Sequence, residues 1–137
     1  MITTAVCDVA KLAMMDGLHR TGDDYRIALY GKTAELGAQT KAYSPKGECA
    51  GLGYHEGGKG LVGRRAVLVN GVACLTFNDV AWSRCTLEAH GALIYNATRN
   101  NAALATIAFE TALHAHNGEL ALDFPTATPD TAVVAIA

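Results

Sequence analysis

A glycine-rich run at residues 53–60, GYHEGGKG, is the part of this chain that comes nearest to a nucleotide-binding motif. A phosphate-binding P-loop has a serine or threonine after its lysine to hold Mg²⁺, and a helix begins at that point. Here Gly60 follows Lys59, and the residues beyond it have a strand pattern. The run therefore favours a glycine-rich surface loop over a nucleotide site.

Two histidines and a glutamate near residue 115 could bind a metal ion. His114 and His116 would share one face of a strand, so both imidazoles could reach one ion, and Glu119 follows them. The spacing is close to a metal motif of cupins, but the glutamate comes one or two residues early and the later histidine motif is missing. Asn117-Gly118 also predicts a turn here. We therefore expect surface histidines, with no metal ion and no cofactor.

No other pattern of residues predicts catalysis. A GxSxG motif does not occur, and Asp23-Asp24 lies in the turn sequence TGDD. The cysteines are far apart and form no CxxC pair, so neither zinc nor a disulfide framework is indicated. The sequence predicts four free thiols, no catalytic residues and no enzyme activity. The cysteines are Cys7, Cys49, Cys74 and Cys85.

The composition narrows the class of protein further. The chain has 137 residues, half of them hydrophobic, which predicts a single folded domain over 1–137. Its net charge of −2 argues against a nucleic-acid partner, which normally requires a basic stripe. No run of about 18 apolar residues and no basic, apolar leader is found, so we expect no membrane span and synthesis into the cytoplasm.

The N-terminal segment predicts an α-helix over residues 3–18. Thr3 or Thr4 would cap its start, and Gly17 would close its end. An apolar stripe would face the core, and Met15 would lie among polar residues on the opposite side. Met15 is therefore either a contact for a partner or a shielded residue at the boundary of the core.

Most of the remaining segments predict β-strands. Residues 31–65 contain many glycines and predict a structured loop or a set of short strands. Asn70-Gly71 predicts a type I′ turn that closes a hairpin and pairs Val69 with Val72. Asn101–His116 fits either a helix or a strand. The predicted strands are Tyr25–Tyr30, Ala66–Val69, Val72–Phe77, Thr86–Tyr95, Glu119–Phe124 and Thr131–Ile136.

Together these elements predict a mainly β fold. We expect an antiparallel β-sandwich or jelly roll over residues 25–137, with an N-terminal α-helix. A chain that is nearly all framework acts through its surface. Arg64-Arg65 is the one basic pair and, with Met15, is a candidate for contact with a partner.

Several segments, in order, make the chain resemble the capsid cement (decoration) proteins of tailed bacteriophages. None of them is catalytic, and their specificity lies in the joint pattern. That family usually has a basic residue where His90 stands in this chain. The matching segments are ITTAVCD at 2–8, YRIALY at 25–30, TKAYSPKGECAGLGYHEGGKGL at 40–61, FNDVAW at 77–82, AHGALIYNAT at 89–98 and DFPTATPDTAVVAIA at 123–137.

The resemblance implies a jelly-roll protein that sits as a homodimer on the outer capsid surface of the virion. There it would bridge neighbouring major capsid proteins and stabilise the shell. The expected partners are the major capsid protein and a second copy of the chain, with no nucleic acid, membrane or cofactor. The resemblance also favours a strand at Ala102–Phe109. It names no contact residues, so Met15, Arg64 and Arg65 are predicted as partner-binding from their residue types alone.

Two other functions stay open from the sequence. A carbohydrate-binding attachment module of a virion would stack sugars on exposed aromatic rings, for which Trp82 and Tyr54 are the candidates. A cupin-like metalloenzyme would use His114 and His116.

Overall fold

Two antiparallel sheets and one short helix form the structure, a computed structural model that describes residues 1–124 and 132–136. The predicted class, mainly β with antiparallel sheets and a helix near the N-terminus, is confirmed. The elements are β1 Ala5–Val6, α1 Asp8–Met15, β2 Tyr25–Tyr30, β3 Lys59–Gly60, β4 Arg65–Val69, β5 Val72–Thr76, β6 Val80–Asn96, a 3₁₀ turn Ala97–Arg99, β7 Ala102–Leu122 and β8 Val134–Ile136.

The two sheets share one core in a sandwich-like arrangement. The larger sheet has the strand order β1-β7-β6-β2-β3, and the smaller has the order β4-β5-β8. Buried side chains from both sheets belong to one apolar cluster. Aromatic rings link the layers, because Phe77 lies 5.3 Å from Tyr25 and 6.3 Å from Phe124 between ring centroids.

The ambiguous segment Asn101–His116 forms a strand, as part of the 21-residue β7. Its alanines have high helix propensity, but antiparallel pairing with β6 overrides that local preference. The expected turn at Asn117-Gly118 is wrong. Asn117 has a φ of 51° inside β7, where His116 and Asn117 lie opposite the single residue Thr86 of β6. The Asn-Gly pair is therefore accommodated as a β-bulge.

The predicted helix over 3–18 is too long at its start. Residues Ala5–Val6 pair with β7, and the helix begins at Asp8 without a side-chain cap. The Thr3 carbonyl and the Thr4 hydroxyl accept hydrogen bonds from Thr106 and Ala108 of β7. Both threonines are therefore used by the sheet rather than by the helix.

α1 ends at Met15, three residues before the predicted end, but Gly17 closes it as predicted. Gly17 has a φ of 78°, and the amides of Gly17 and Leu18 donate to the carbonyls of Met14 and Ala13 at 3.1 and 2.9 Å. This pair of bonds is a Schellman motif, which favours glycine at the left-handed position.

The remaining strand predictions are confirmed, most of them with shifted ends. β2 has the predicted bounds, and residues 31–58 form a loop with isolated bridges before the two-residue β3. The predicted strand Thr131–Ile136 is observed as Val134–Ile136, and Thr131 lies outside the described residues. The strand predicted at Thr86–Tyr95 is the central part of β6.

The Asn70-Gly71 hairpin is confirmed in both turn and register. The φ angles are 50° and 80°, and Val69 pairs with Val72. A Cβ atom added at Gly71 would meet nothing within 4 Å, so the requirement for glycine is one of backbone conformation alone.

Replacing Gly71 with valine should therefore lower the free energy of unfolding by about 1–3 kcal/mol, because a β-branched residue is strained at positive φ. Urea unfolding of Gly71→Val against the wild type measures this cost. Gly60→Val is the matched control, since Gly60 also has open space around it but lies outside the positive-φ region. Equal losses for the two variants would contradict the strain explanation.

Candidate interaction surface

An exposed apolar surface lies on α1 and beside β8, and is called here the α1 surface: Leu12, Met15 and Ile136. Their side chains are 67%, 87% and 46% exposed. Leu12 and Met15 are three positions apart and so are neighbours on the helix. Met15 and Ile136 line one groove of about 520 Å³. The interpretation of Met15 as a shielded boundary residue is therefore wrong, and its interpretation as a contact residue stays a prediction.

Arg64 lies near this surface but is engaged within the protein. It is half-buried, and its guanidinium donates to the His19 carbonyl at 2.8 Å and to the Thr21 hydroxyl at 3.0 Å. Its Cζ lies 5.8 Å from the centroid of the Tyr25 ring. Arg64 also lines a small cavity together with Ile136. The Arg64 side chain therefore holds residues 19–25 against the smaller sheet.

Arg65 is exposed, yet its guanidinium also has internal partners. It donates to the Gly63 carbonyl at 3.0 Å, to the Phe77 carbonyl at 3.3 Å and to the Asn78 side chain. A partner could still reach the outer edge of this side chain. Of the three predicted contact residues, Met15 and Arg64 both lie beside Ile136, and Met15 is the one without a role in the fold.

A polar cluster around Asp23 stabilises the segment before β2 that Arg64 also contacts. The Asp23 carboxylate accepts from the Asn96 amide at 2.8 Å and from the Arg99 guanidinium at 3.0 and 3.2 Å. The Arg20 backbone amide adds a further bond at 3.2 Å. These bonds, that from Asn96 above all, lower the pKa of Asp23 to about 2. The cluster joins the segment before β2 to the end of β6.

His19 is the buried neighbour of this cluster. The Asn96 side-chain oxygen accepts from the Thr98 amide, which leaves its Nδ2 to donate to Asp23 and to His19 Nδ1, 3.2 Å away. His19 Nδ1 is then the acceptor, and the imidazole is neutral with its proton on Nε2. Burial lowers the pKa of His19, in agreement with a neutral ring.

The glycine-rich run is packed against the larger sheet by Glu48. Its carboxylate accepts from the hydroxyls of Tyr43 and Tyr54 and, at 3.0 Å, from the Gly57 amide. Burial and this carboxylate raise the pKa of both tyrosines, which stay protonated. The short strand β3 follows the run, where a P-loop would have a helix. We call this group the Glu48 cluster; it is a structural clamp.

The histidines of the suspected metal motif, His114 and His116, are both exposed on β7. Glu88 Oε1 is 3.5 Å from His114 Nε2 and 3.7 Å from His90 Nε2. Among the residues described, no group of three or more His, Cys, Asp or Glu side chains is arranged to hold a metal ion. The arrangement supports ion pairs that form when the imidazoles are protonated.

The two aromatic candidates for sugar stacking are both in the core. Trp82 and Tyr54 are 4% and 8% exposed, and their rings lie 6.2 Å apart. Their faces are therefore unavailable to a sugar. The four cysteines are free thiols, and burial raises the pKa of Cys7 and Cys49 to about 11. Both thiols are protonated at neutral pH and are poor nucleophiles.

Comparison with known proteins adds no relative: no protein-family model, curated protein or solved structure matches the chain. In the described part of the chain, none of the helices has the length and apolar character needed to cross a bilayer. Sequence reasoning missed both polar clusters, although Asp23 and Glu48 each stand beside turn-forming glycines or prolines.

Truncation of Arg64 should destabilise the fold rather than affect binding alone. Arg64→Ala leaves the His19 carbonyl without its donor and uncovers Tyr25, so the free energy of unfolding should fall by roughly 1–3 kcal/mol. Urea unfolding measures this, with the exposed Lys32→Ala as control. An unchanged stability would mean that the Arg64 side chain is free for a partner.

Loss of the Asp23 carboxylate should matter most at neutral pH. Because the folded pKa is depressed to about 2, its stabilisation is present above the ordinary value of 3.8 and is lost as the pH falls through about 2. Asp23→Asn should lower the unfolding free energy by on the order of 1–2 kcal/mol at pH 5–7. The deficit should shrink between about pH 4 and pH 2.

Urea titrations across this pH range test the claim. The exposed neighbour Asp24 supplies the control Asp24→Asn, which should show no such pH-dependent deficit. A deficit of constant size down to pH 2 would contradict the linkage to Asp23 ionisation.

Proposed function

We propose that the protein is a structural virion protein, not an enzyme. It binds the outside of a tailed-bacteriophage capsid and bridges neighbouring major capsid proteins, which stabilises the shell. Synthesis in the host cytoplasm precedes its assembly onto the virion. The ordered resemblance of the segments at 2–8, 25–30, 40–61, 77–82, 89–98 and 123–137 to cement proteins carries the proposal.

The α1 surface supports this proposal as the contact region. Large apolar side chains that are 67% and 87% exposed, Leu12 and Met15, are disfavoured in water and are typical of protein interfaces. Burial of each against a capsid protein contributes about 1.5–3 kcal/mol. The contact needs no cofactor, nucleic acid or membrane.

The rest of the structure suits a protein that bridges capsid subunits. A shell under internal pressure can be held by many copies of one modest contact, because each copy that joins two subunits adds avidity. The bridging protein itself must then be stiff. The shared core, the Asp23 cluster and the Glu48 cluster supply that stiffness.

The rival functions have less support. An attachment module for glycans needs exposed aromatic platforms, whereas Trp82 and Tyr54 are buried. A cupin-like metalloenzyme needs converging ligands, whereas His114 faces Glu88 across the strand pair. If the protein is a cement protein, it should show no preference for any sugar on a glycan array.

Particles that lack the protein should assemble but lose DNA or break at lower temperature, and purified protein should restore their resistance in a saturable way. Met15→Asp with Leu12→Asp should weaken binding to such particles at least about tenfold, since apolar burial is lost and two charges are added. Leu52→Asp is the matched control, because Leu52 is 68% exposed but lies far along the chain, in the loop before β3.

Thermal unfolding of each free variant should stay close to that of the wild type, because the substituted side chains are exposed. If bare particles are as robust as complete ones and the wild-type protein has no affinity for them, the proposed function is wrong. If binding occurs but both variants bind equally, the contact lies elsewhere than the α1 surface.

A further inference from the structure

β4 is an unprotected strand edge. It forms the outer edge of the smaller sheet, and no described residue pairs with its free side. The other edge strands β1, β3 and β8 have only two or three residues, whereas β4 has five. Short edges are one way in which proteins avoid unwanted pairing. β4 departs from that pattern.

Apart from Arg65 at its start, β4 contains none of the other usual protections. After Arg65 it continues Ala66, Val67, Leu68 and Val69, with no charge, proline or bulge. Val67 and Leu68, on opposite faces of the strand, are 43% and 74% exposed. An apolar edge of this kind is a template for pairing with another strand.

The hairpin determines which backbone groups are free. A two-residue type I′ turn closes with a hydrogen-bonded pair, here Val69 and Val72. Hydrogen-bonded and non-bonded pairs then alternate along an antiparallel ladder. The amide and carbonyl of Val67 therefore point to β5, and those of Ala66 and Leu68 point outward.

This edge is complementary to itself about a two-fold axis. An axis through Val67 places Ala66 opposite Leu68 of a second copy and Leu68 opposite Ala66 of that copy. Both pairs then make two backbone hydrogen bonds, and the two Val67 side chains meet as a non-bonded pair, the closest kind of cross-strand contact. Arg65 faces Val69 of the other copy, so like charges are not opposed.

The same axis joins apolar side chains across the pair. Leu68, Ala73 and Ile136 are in register on neighbouring strands and all keep exposed surface. Pairing would extend this row into a second copy through Leu68 and Ala66. A self-complementary patch of this kind forms a closed dimer rather than an open filament.

We propose that two copies of this chain pair through their β4 edges, antiparallel and centred on Val67, to form one continuous six-stranded sheet. The inference rests on the proposed function only for the expectation of a homodimer, which the resemblance to cement proteins implies. It requires no capsid contact, so it is tested in the purified protein and fails or stands separately from capsid binding.

Charged substitutions of Val67 test the pairing, because the Val67 side chains of the two copies would face each other at the axis. Analytical ultracentrifugation should show a dimer for the wild type within about 1–100 μM, the range of modest interfaces. Val67→Lys and Val67→Glu should each raise the dimer dissociation constant at least about tenfold, since like charges then face each other. An equimolar mixture of the two variants should recover a heterodimer. Leu52→Lys, at another exposed apolar position, should dimerise like the wild type.

Amide hydrogen exchange gives a second readout that does not depend on any variant. The Ala66 and Leu68 amides should be protected in the dimer and exchange rapidly on dilution, whereas the Val67 amide, bonded to β5, should stay protected in both states.

A wild type that stays monomeric over this range, or a Val67→Lys variant that dimerises normally, would overturn the proposal. So would a monomer whose Ala66 and Leu68 amides become protected only on capsid particles. That outcome would assign the edge to a strand of the shell protein.

Discussion

The antiparallel pairing of β6 with β7 is the contact on which the rest of the structure depends. These strands have 17 and 21 residues, and every other strand of the larger sheet pairs with one of them or with β2, which itself pairs with β6. The register of the pair shifts at four places, where one strand has more residues than the other, so the ladder is irregular there. The site follows from this pairing, because β1 binds the edge of β7 and thereby sets where α1 begins.

The parts of the fold that were predicted from sequence are those set by neighbouring residues. The Asn70-Gly71 turn, the Gly17 helix end and β2 each depend on a short stretch with strong local preferences. The predicted start of α1 was wrong because Val6 pairs with Ala105, a residue far along the chain. The turn at Asn117-Gly118 was wrong for the same reason, since β6 continues opposite it.

The candidate site shows the same distinction between features set by neighbouring residues and features set by distant contacts. That Met15 lies outside the core follows from helical periodicity and is seen in its exposure. The engagement of Arg64 with His19 and Thr21 could not be read from the sequence, because these residues are more than 40 positions apart and no motif links them. From the sequence alone, an exposed basic pair cannot be distinguished from an arginine that connects the two layers.

The Glu48 cluster has a consequence for the energetics of association. Glycine-rich loops usually lose much conformational freedom when they are pressed against a partner, and that loss of entropy opposes binding. In this protein the carboxylate of Glu48, the two tyrosine hydroxyls and the stacked rings of Tyr43 and Tyr95 have already fixed the loop during folding. The ordering is completed once, when the chain folds, so a partner that touched this loop would not have to order it again.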